Sequence, residues 1–410
     1  MDIAMSAASA STSLAYSCAG HVYAHIFDPI FFVVALALPK AMGLAYEDAL
    51  LLIIGGKVLY GVLAPGAGWL GDRWSAVGMM LIFFIGLGLA GIATGLADNP
   101  FQLSLGLAGL GFFGSIYHPV GTAWLVRNAT NRGKALGLNG IFGGLGAALG
   151  GIVAGALTDA ISWRAAFIIP GVVVLASGLL FAYSLKKGQV VEIKEDLKPH
   201  AAPSKGETIH AGLILTLTML CTGLIYQVTQ PALPKLFEAR LGDVLGDGLL
   251  GVGGLVTLIY TVAGLFQLVA GHWADRYPLR YVYAGVYLAQ VPMLLAAAWV
   301  GGLPLALVAM VMVSMNLAGI PAENSLLARY TPAKWRGTAF GMKFVLSFGI
   351  SGMGVPLMAV ILKNTGDFIW VFLLLSLMAV IVVAASLMLP RDAPKPTALE
   401  EAEAQAQATT

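Results

Sequence analysis

Gly68-Trp69-Leu70-Gly71-Asp72-Arg73-Trp74 lies between two long apolar runs, and Gly271-His272-Trp273-Ala274-Asp275-Arg276-Tyr277 nearly repeats it 203 positions later in the 410-residue chain. Other landmarks keep the same offset. Pro119 and Arg127 return as Pro321 and Arg329, and Arg132-Gly133-Lys134-Ala135-Leu136-Gly137 returns as Arg336-Gly337-Thr338-Ala339-Phe340-Gly341. Offsets of 202 to 204 over four landmarks imply a duplicated unit. Two copies of a six-span bundle related by an axis along the membrane normal are a known membrane architecture.

Composition sets the solvent. With 58% hydrophobic and 11% charged residues, the chain falls far below the charged fraction of about a quarter that soluble domains carry. An unpaired backbone amide in hydrocarbon costs several kcal/mol, so apolar runs of this length must form helices. Twelve runs stand out, near 13–38, 46–69, 76–97, 101–126, 134–158, 164–185, 210–233, 248–271, 280–300, 303–328, 338–361 and 367–389. The expectation is an all-α polytopic membrane protein of two pseudo-symmetric six-helix bundles, 1–186 and 210–390. A polar linker at 187–209 joins them, and a disordered tail at 391–410 follows.

With both termini placed in the cytoplasm, the inside loops hold sixteen lysines and arginines. The outside loops hold five: Lys40, Arg164, Lys235, Arg240 and Lys363. That asymmetry satisfies the positive-inside bias. No lysine or arginine precedes Lys40, so the first span is expected to be retained, not cleaved as a signal peptide. A net charge of +2 gives no sign of nucleic-acid binding, since topology explains the basic clusters. Cys18 and Cys221, also 203 apart, read as small apolar fillers before any redox role.

These residues resemble the major facilitator superfamily along almost the whole chain. The two Gly-x-x-x-Asp-Arg loops are similar to that family's loop signature, although Ser75 and Ala76 stand where a glycine and a basic residue are usual. Gly137, Gly146, Gly150, Gly151 and Gly155 in span 5 resemble the glycine-rich signature of its antiporters, with Gly151 replacing the usual proline. Trp163-Arg164-Ala165-Ala166-Phe167 is similar to its outer connection before span 6. His25-Ile26-Phe27-Asp28 and Gly114-Ser115-Ile116-Tyr117-His118-Pro119 resemble, more narrowly, the fosmidomycin-resistance-like exporters. The resemblance implies the major facilitator fold and alternating access, with spans 1, 4, 7 and 10 lining a central cavity.

Ionisable groups at mid-membrane cost several kcal/mol unless paired or wetted, so each is a functional candidate. His21, His25 and Asp28 follow i, i+4, i+7 spacing and share one face of span 1. Tyr117 and His118 come from span 4, Tyr226, Gln227 and Gln230 from span 7, and Asn316, Glu323 and Asn324 from span 10. Lys57 in span 2 and Lys343 in span 11 supply one buried cation per half. They fit two arrangements: a clamp on an anionic solute, or structural ion pairs of Lys57 with Asp28 and Lys343 with Glu323. The substrate-binding set is therefore Lys57, Tyr117, His118, Tyr226, Gln227, Gln230, Asn316 and Lys343.

Asp28 leads the proton-coupling set, followed by His25 and Glu323. Burial favours its neutral form and a neighbouring lysine its charged form, and that competition makes a switch. Against it stands a permanently ionised Asp28. His118 either relays protons or binds substrate, or instead satisfies the carbonyl that Pro119 leaves free. Asp72, Arg73, Asp275 and Arg276 at the repeated loops, with Arg127 and Arg329, form the gating set.

Rival classes remain. His21 and His25 have the spacing of metal ligands on a helix, but six histidines in all, of which three lie in spans, are too few for a di-iron membrane enzyme, and neither a cofactor nor a metal site is expected. No charged ring suggests a channel, and the linker and tail are short for a sensor. The function expected is secondary transport of a small organic anion or amphipathic solute, coupled to protons. Efflux is favoured over uptake of an organic acid. The setting expected is a monomer in a bacterial inner membrane, with solute, protons and lipid as its partners.

Overall fold

The computed structural model describes residues 2–128, 132–190, 205–331 and 336–390. The central part of the expected linker, 191–204, and the expected tail, 391–410, lie outside the described residues. All regular structure among the described residues is helical. Eleven helices are long and apolar enough to span a membrane, and a bent pair, Tyr46–Val62 with Ala64–Arg73, makes the twelfth.

Spans 1 to 6 run Asp2–Val34, the bent pair, Ala76–Gly95, Pro100–Asn128, Arg132–Ala160 and Ala165–Lys186. Spans 7 to 12 run Lys205–Leu245, Leu249–Arg276, Leu279–Trp299, Leu303–Tyr330, Thr338–Thr365 and Ile369–Leu387. Alternation puts the start of span 1 and the end of span 12 at one face, here the terminal face, and the turn between spans 7 and 8 at the opposite face.

Local chemistry fixes many of the ends. Ser75 caps span 3 by accepting from Gly78 N at 2.9 Å, and Asn99 caps span 4 by accepting from Gln102 N at 2.9 Å ahead of Pro100. Gly366 closes span 11 in the left-handed region at φ +67°. Arg164 reaches Ala97 O at 3.0 Å and Asp98 at 3.1 Å, tying two loops at the opposite face. Arg240 does the same in the second half through Ala297 O, Ala298 O and Val300 O.

Span 7 departs from the expected 210–233. It begins at Lys205, inside the expected linker, and passes Pro231 and Pro234 to end at Leu245. A proline removes one backbone bond, which a long helix tolerates when its neighbours hold it in line. Cys18 and Cys221 are buried and unpaired.

The halves meet along two seams, span 5 against span 8 and span 2 against span 11. Both depend on glycine. A Cβ on Gly150 would sit 2.6 Å from Ile26 O of span 1, while one on Gly151 would sit 2.6 Å from Gly253 O of span 8. Adjacent glycines thus let span 5 press on its own half with one side and on the other half with the next. On the other seam, Gly61 packs against the backbone of Gly349.

Candidate functional site

Lys57 in span 2 is 3% exposed and donates both to Asp28 in its own half and to Gln227 Oε1 of span 7 at 2.9 Å. Gln227 passes the link on, donating through Nε2 to Ser347 O of span 11 at 3.2 Å. Lys343 makes a separate pair, 2.7 Å from Glu323 and 2.6 Å from Asn324 Oδ1. The structure holds both ion pairs that the sequence left as an alternative to an anion clamp.

The second carboxylate is the more heavily bonded of the two. Glu323 Oε2 accepts from Tyr283 Oη at 2.5 Å and Thr222 Oγ1 at 3.1 Å, while Oε1 takes Lys343. Glu323 is thus held by three donors from its own half. Asp28 differs, with 37% of its side chain exposed. It lines a cleft with Tyr23, Lys57, Tyr60, Leu107 and Gly111, between spans 1, 2 and 4.

Where a central cavity was expected, aromatic rings from the two halves are packed together. Phe344 and Phe348 of span 11 stack on His118, with ring centres 4.5 and 5.7 Å away and planes inclined by 17° and 22°. His118, Gln227 and Lys343 are buried. Phe344 and Phe348 carry no polar atom, so the sequence search for intramembrane charge passed over them.

Tyr117 is fully buried and ties three spans together. It donates to Ser17 O at 2.7 Å and accepts from Asn139 Nδ2 at 2.8 Å. That is a structural tie, and it removes Tyr117 from solute contact in this state. Asn139, a lone amide in glycine-rich span 5, also donates to Ser17 Oγ at 3.1 Å. Its isolation among glycines was the available signal. Gln230 donates to Tyr226 Oη at 2.8 Å, and its Oε1 is buried without a partner. Asn316 is buried in span 10 with its Nδ2 also unpartnered.

His118 belongs to a π-helical turn, Tyr117–Gly121, where Pro119 cannot donate and the ladder slips by one residue. His118 Nε2 is buried without a partner. Span 1 brings His21 and His25 against it, with ring centres 5.3 and 5.0 Å from that of His118.

At the terminal face, Arg127 donates to Asp72 at 2.5 Å, joining two gating candidates within one half. Arg73 lies over Trp69, while Asp275 and Arg276 are exposed at the equivalent loop. Arg329 ends span 10. The bonds that cross between halves toward the opposite face involve other residues. Asp159 accepts from Leu249 N and Leu250 N at 3.0 and 2.8 Å, capping span 8 from the end of span 5. Thr257 donates to Ala148 O at 2.6 Å, and Lys363 pairs with Asp48 at 3.3 Å. Asp159 was not among the expected gates because the repeated loops drew attention to the terminal face.

Comparisons with known proteins agree with this architecture. The chain is 25% identical over 395 residues to a Cupriavidus necator protein named "Probable sulfoacetate transporter SauU", covering 87% of this chain and 88% of that one. It is 25% identical over 251 residues to "Multidrug resistance protein MdtG" of Serratia proteamaculans, covering 58% of each. Among solved structures, a bacterial homolog of the human lysosomal transporter Spinster, inward-facing and unoccupied, superposes with a TM-score of 0.75 at 14% identity. That match covers 94% of this chain and 99% of the other, and it shows the shared fold. The family profile of the Major Facilitator Superfamily matches residues 18–242 and 215–410. With twelve spans, a doubled bundle and both halves matched, the chain belongs to the Major Facilitator Superfamily and is a membrane transporter.

Proposed function

We propose that this transporter moves a small organic anion by alternating access, with protonation of Asp28 as the coupling step. The observation that carries the proposal is the placement of Lys57, bonded at once to Asp28 in one half and Gln227 in the other. When Asp28 is ionised, it holds the ammonium in place. Protonation removes that charge and frees Lys57 to bind an anion or to release Gln227, which biases the seam between spans 2 and 11. Lys343 is committed to Glu323 and Asn324, so Lys57 is the cation of the pair with a switchable partner.

The anion class draws support from the relative named as a sulfoacetate transporter, sulfoacetate being a small organic anion. Efflux draws support from the relative named for multidrug resistance, and from the likeness of His25-Ile26-Phe27-Asp28 and Gly114–Pro119 to fosmidomycin-resistance-like exporters. Proton-driven uptake of an organic acid is the second reading, favoured by the sulfoacetate name. A monomer in a bacterial inner membrane completes the proposal. Gating falls to the Asp72–Arg127 pair with Arg73, Asp275, Arg276 and Arg329 on the terminal face.

Purified protein in liposomes tests this directly. Radiolabelled organic sulfonates and carboxylates are followed with a pH gradient of either sign, and in counterflow without one. Wild type is expected to respond to the gradient, and its sign separates efflux from uptake. Asp28→Asn is expected to lose gradient-driven flux and keep counterflow. Equal loss of both by a well-folded variant removes Asp28 from coupling, and Lys57→Ala with unchanged anion affinity removes the anion reading.

A further inference from the structure

His21, His25 and His118 converge although 93 residues separate the last two in sequence. One ring nitrogen of each lies within 4.8 Å of the others. We infer that they form a site for a borderline divalent transition cation of the zinc class, buried between spans 1 and 4. The site is independent of the solute proposed above.

Three features of the cluster fit ligation. His21 Nδ1 lies 2.7 Å from Asn139 O. A carbonyl only accepts, so Nδ1 carries the proton and Nε2 keeps its lone pair for a metal, the orientation that a carbonyl bonded to the far ring nitrogen imposes on metal-bound histidines. His118 Nε2 is buried with no hydrogen-bond partner in the chain, and His118 is 8% exposed. A nitrogen left bare in that way costs free energy unless something occupies its lone pair. Finally, the rings are already gathered: His21 and His25 are centred 5.1 Å apart, and each is about as far from His118.

Neutral imidazoles suit zinc and its neighbours, whereas magnesium and calcium prefer oxygen. Tetrahedral zinc with bonds near 2.0–2.1 Å needs nitrogens about 3.4 Å apart. From the 4.8 Å limit the nitrogens must close by up to about 1.4 Å to reach tetrahedral spacing, which rotation about the two side-chain torsions of each histidine can supply. Three protein ligands leave a fourth position for water or another oxygen donor.

Charge is balanced nearby, because Lys57 is neutralised by Asp28 and Lys343 by Glu323. A dication therefore meets two ion pairs, not two free ammonium groups. Phe344 and Phe348 of the other half cover His118, so loading requires span 11 to move away from span 4. Metal exchange is then tied to the same opening that admits a solute.

The test uses the full chain purified through a tag without histidines. Isothermal titration with Zn2+ is expected to give one equivalent bound. His25→Gln and His118→Gln are each expected to weaken it by more than the ~10–100-fold that losing an outer-shell partner costs. His210→Gln and His272→Gln, which remove histidines exposed outside the cluster, are expected to leave it intact. Zinc-edge X-ray absorption on wild type needs no variant to fold, and three imidazole scatterers are expected. No stoichiometric binding, binding that survives both cluster variants, or fewer than three imidazoles overturns the assignment.

Discussion

The two buried lysines sit in opposite halves of one duplicated fold, yet they are held differently. Lys343 belongs to a closed circuit: Glu323 spends its oxygens on Lys343, Tyr283 and Thr222, all in its own half, and its side chain is 5% exposed. Lys57 belongs to an open one. Its carboxylate partner is 37% exposed, and its other partner, Gln227, comes from across the seam. Duplication supplied the scaffold, and divergence made one pair a fixture and the other a joint. The local offsets of 203 and 204 map Lys57 onto Tyr260 and Lys343 onto Asn139, so neither lysine has a charged counterpart in the other half.

The largest effect expected from this contrast is on stability. Glu323→Ala strands Lys343 in the core, and removing one member of a buried pair costs about 3–5 kcal/mol. Thermal unfolding in detergent is expected to show that loss for Glu323→Ala and a much smaller one for Asp28→Asn. Comparable melting shifts for the two variants erase the distinction.

A middle-sized effect is expected at the joint itself. Gln227→Leu removes the neutral partner of Lys57 in the other half, worth about 1.5–3 kcal/mol for a hydrogen bond to a charged group. The halves are then expected to part more readily along spans 2 and 11. Faster labelling of Ser347→Cys, read in the Gln227→Leu background against wild type, checks it; an unchanged rate means the link carries no load.

The smallest effect concerns the seam at the opposite face. Asp159 caps the start of span 8 from the other half, and a carboxylate at an exposed helix N-terminus contributes about 0.3–1 kcal/mol. Asp159→Ala is expected to raise solvent access to Leu250→Cys severalfold with little change in melting temperature. Access at the wild-type level shows that glycine packing at Gly151 and Gly253 holds this seam alone.

Much of this architecture could be read in the sequence, because hydrocarbon leaves the backbone few options. Twelve apolar runs and the offset near 203 could be read from the residues themselves, and the resemblance to the family gave meaning to the polar residues of spans 1, 4, 7 and 10. Contacts between spans did not. The i, i+4 spacing announces that His21 and His25 share a face, but only packing brings His118 to them. The kink of 41° at Leu63, ahead of Pro65, and the π turn at Tyr117–Gly121 depend on how neighbours satisfy the freed backbone groups. Phe344 and Phe348 stack on His118 where a cavity between the halves was expected, and apolar rings carry no signal in a search for intramembrane charge.

The central claim is that the charge on Asp28 sets the separation of the halves, and pulsed electron spin resonance tests it most directly. Spin labels at Trp74→Cys and Tyr277→Cys, both exposed on terminal-face loops, report the distance between the two bundles, while buried Cys18 and Cys221 contribute little labelling. Acidification is expected to shift the distance distribution of the otherwise native chain. Asp28→Asn is expected to hold the acid distribution at every pH. A variant that still shifts fully with pH would show that protons act elsewhere and contradict the assignment.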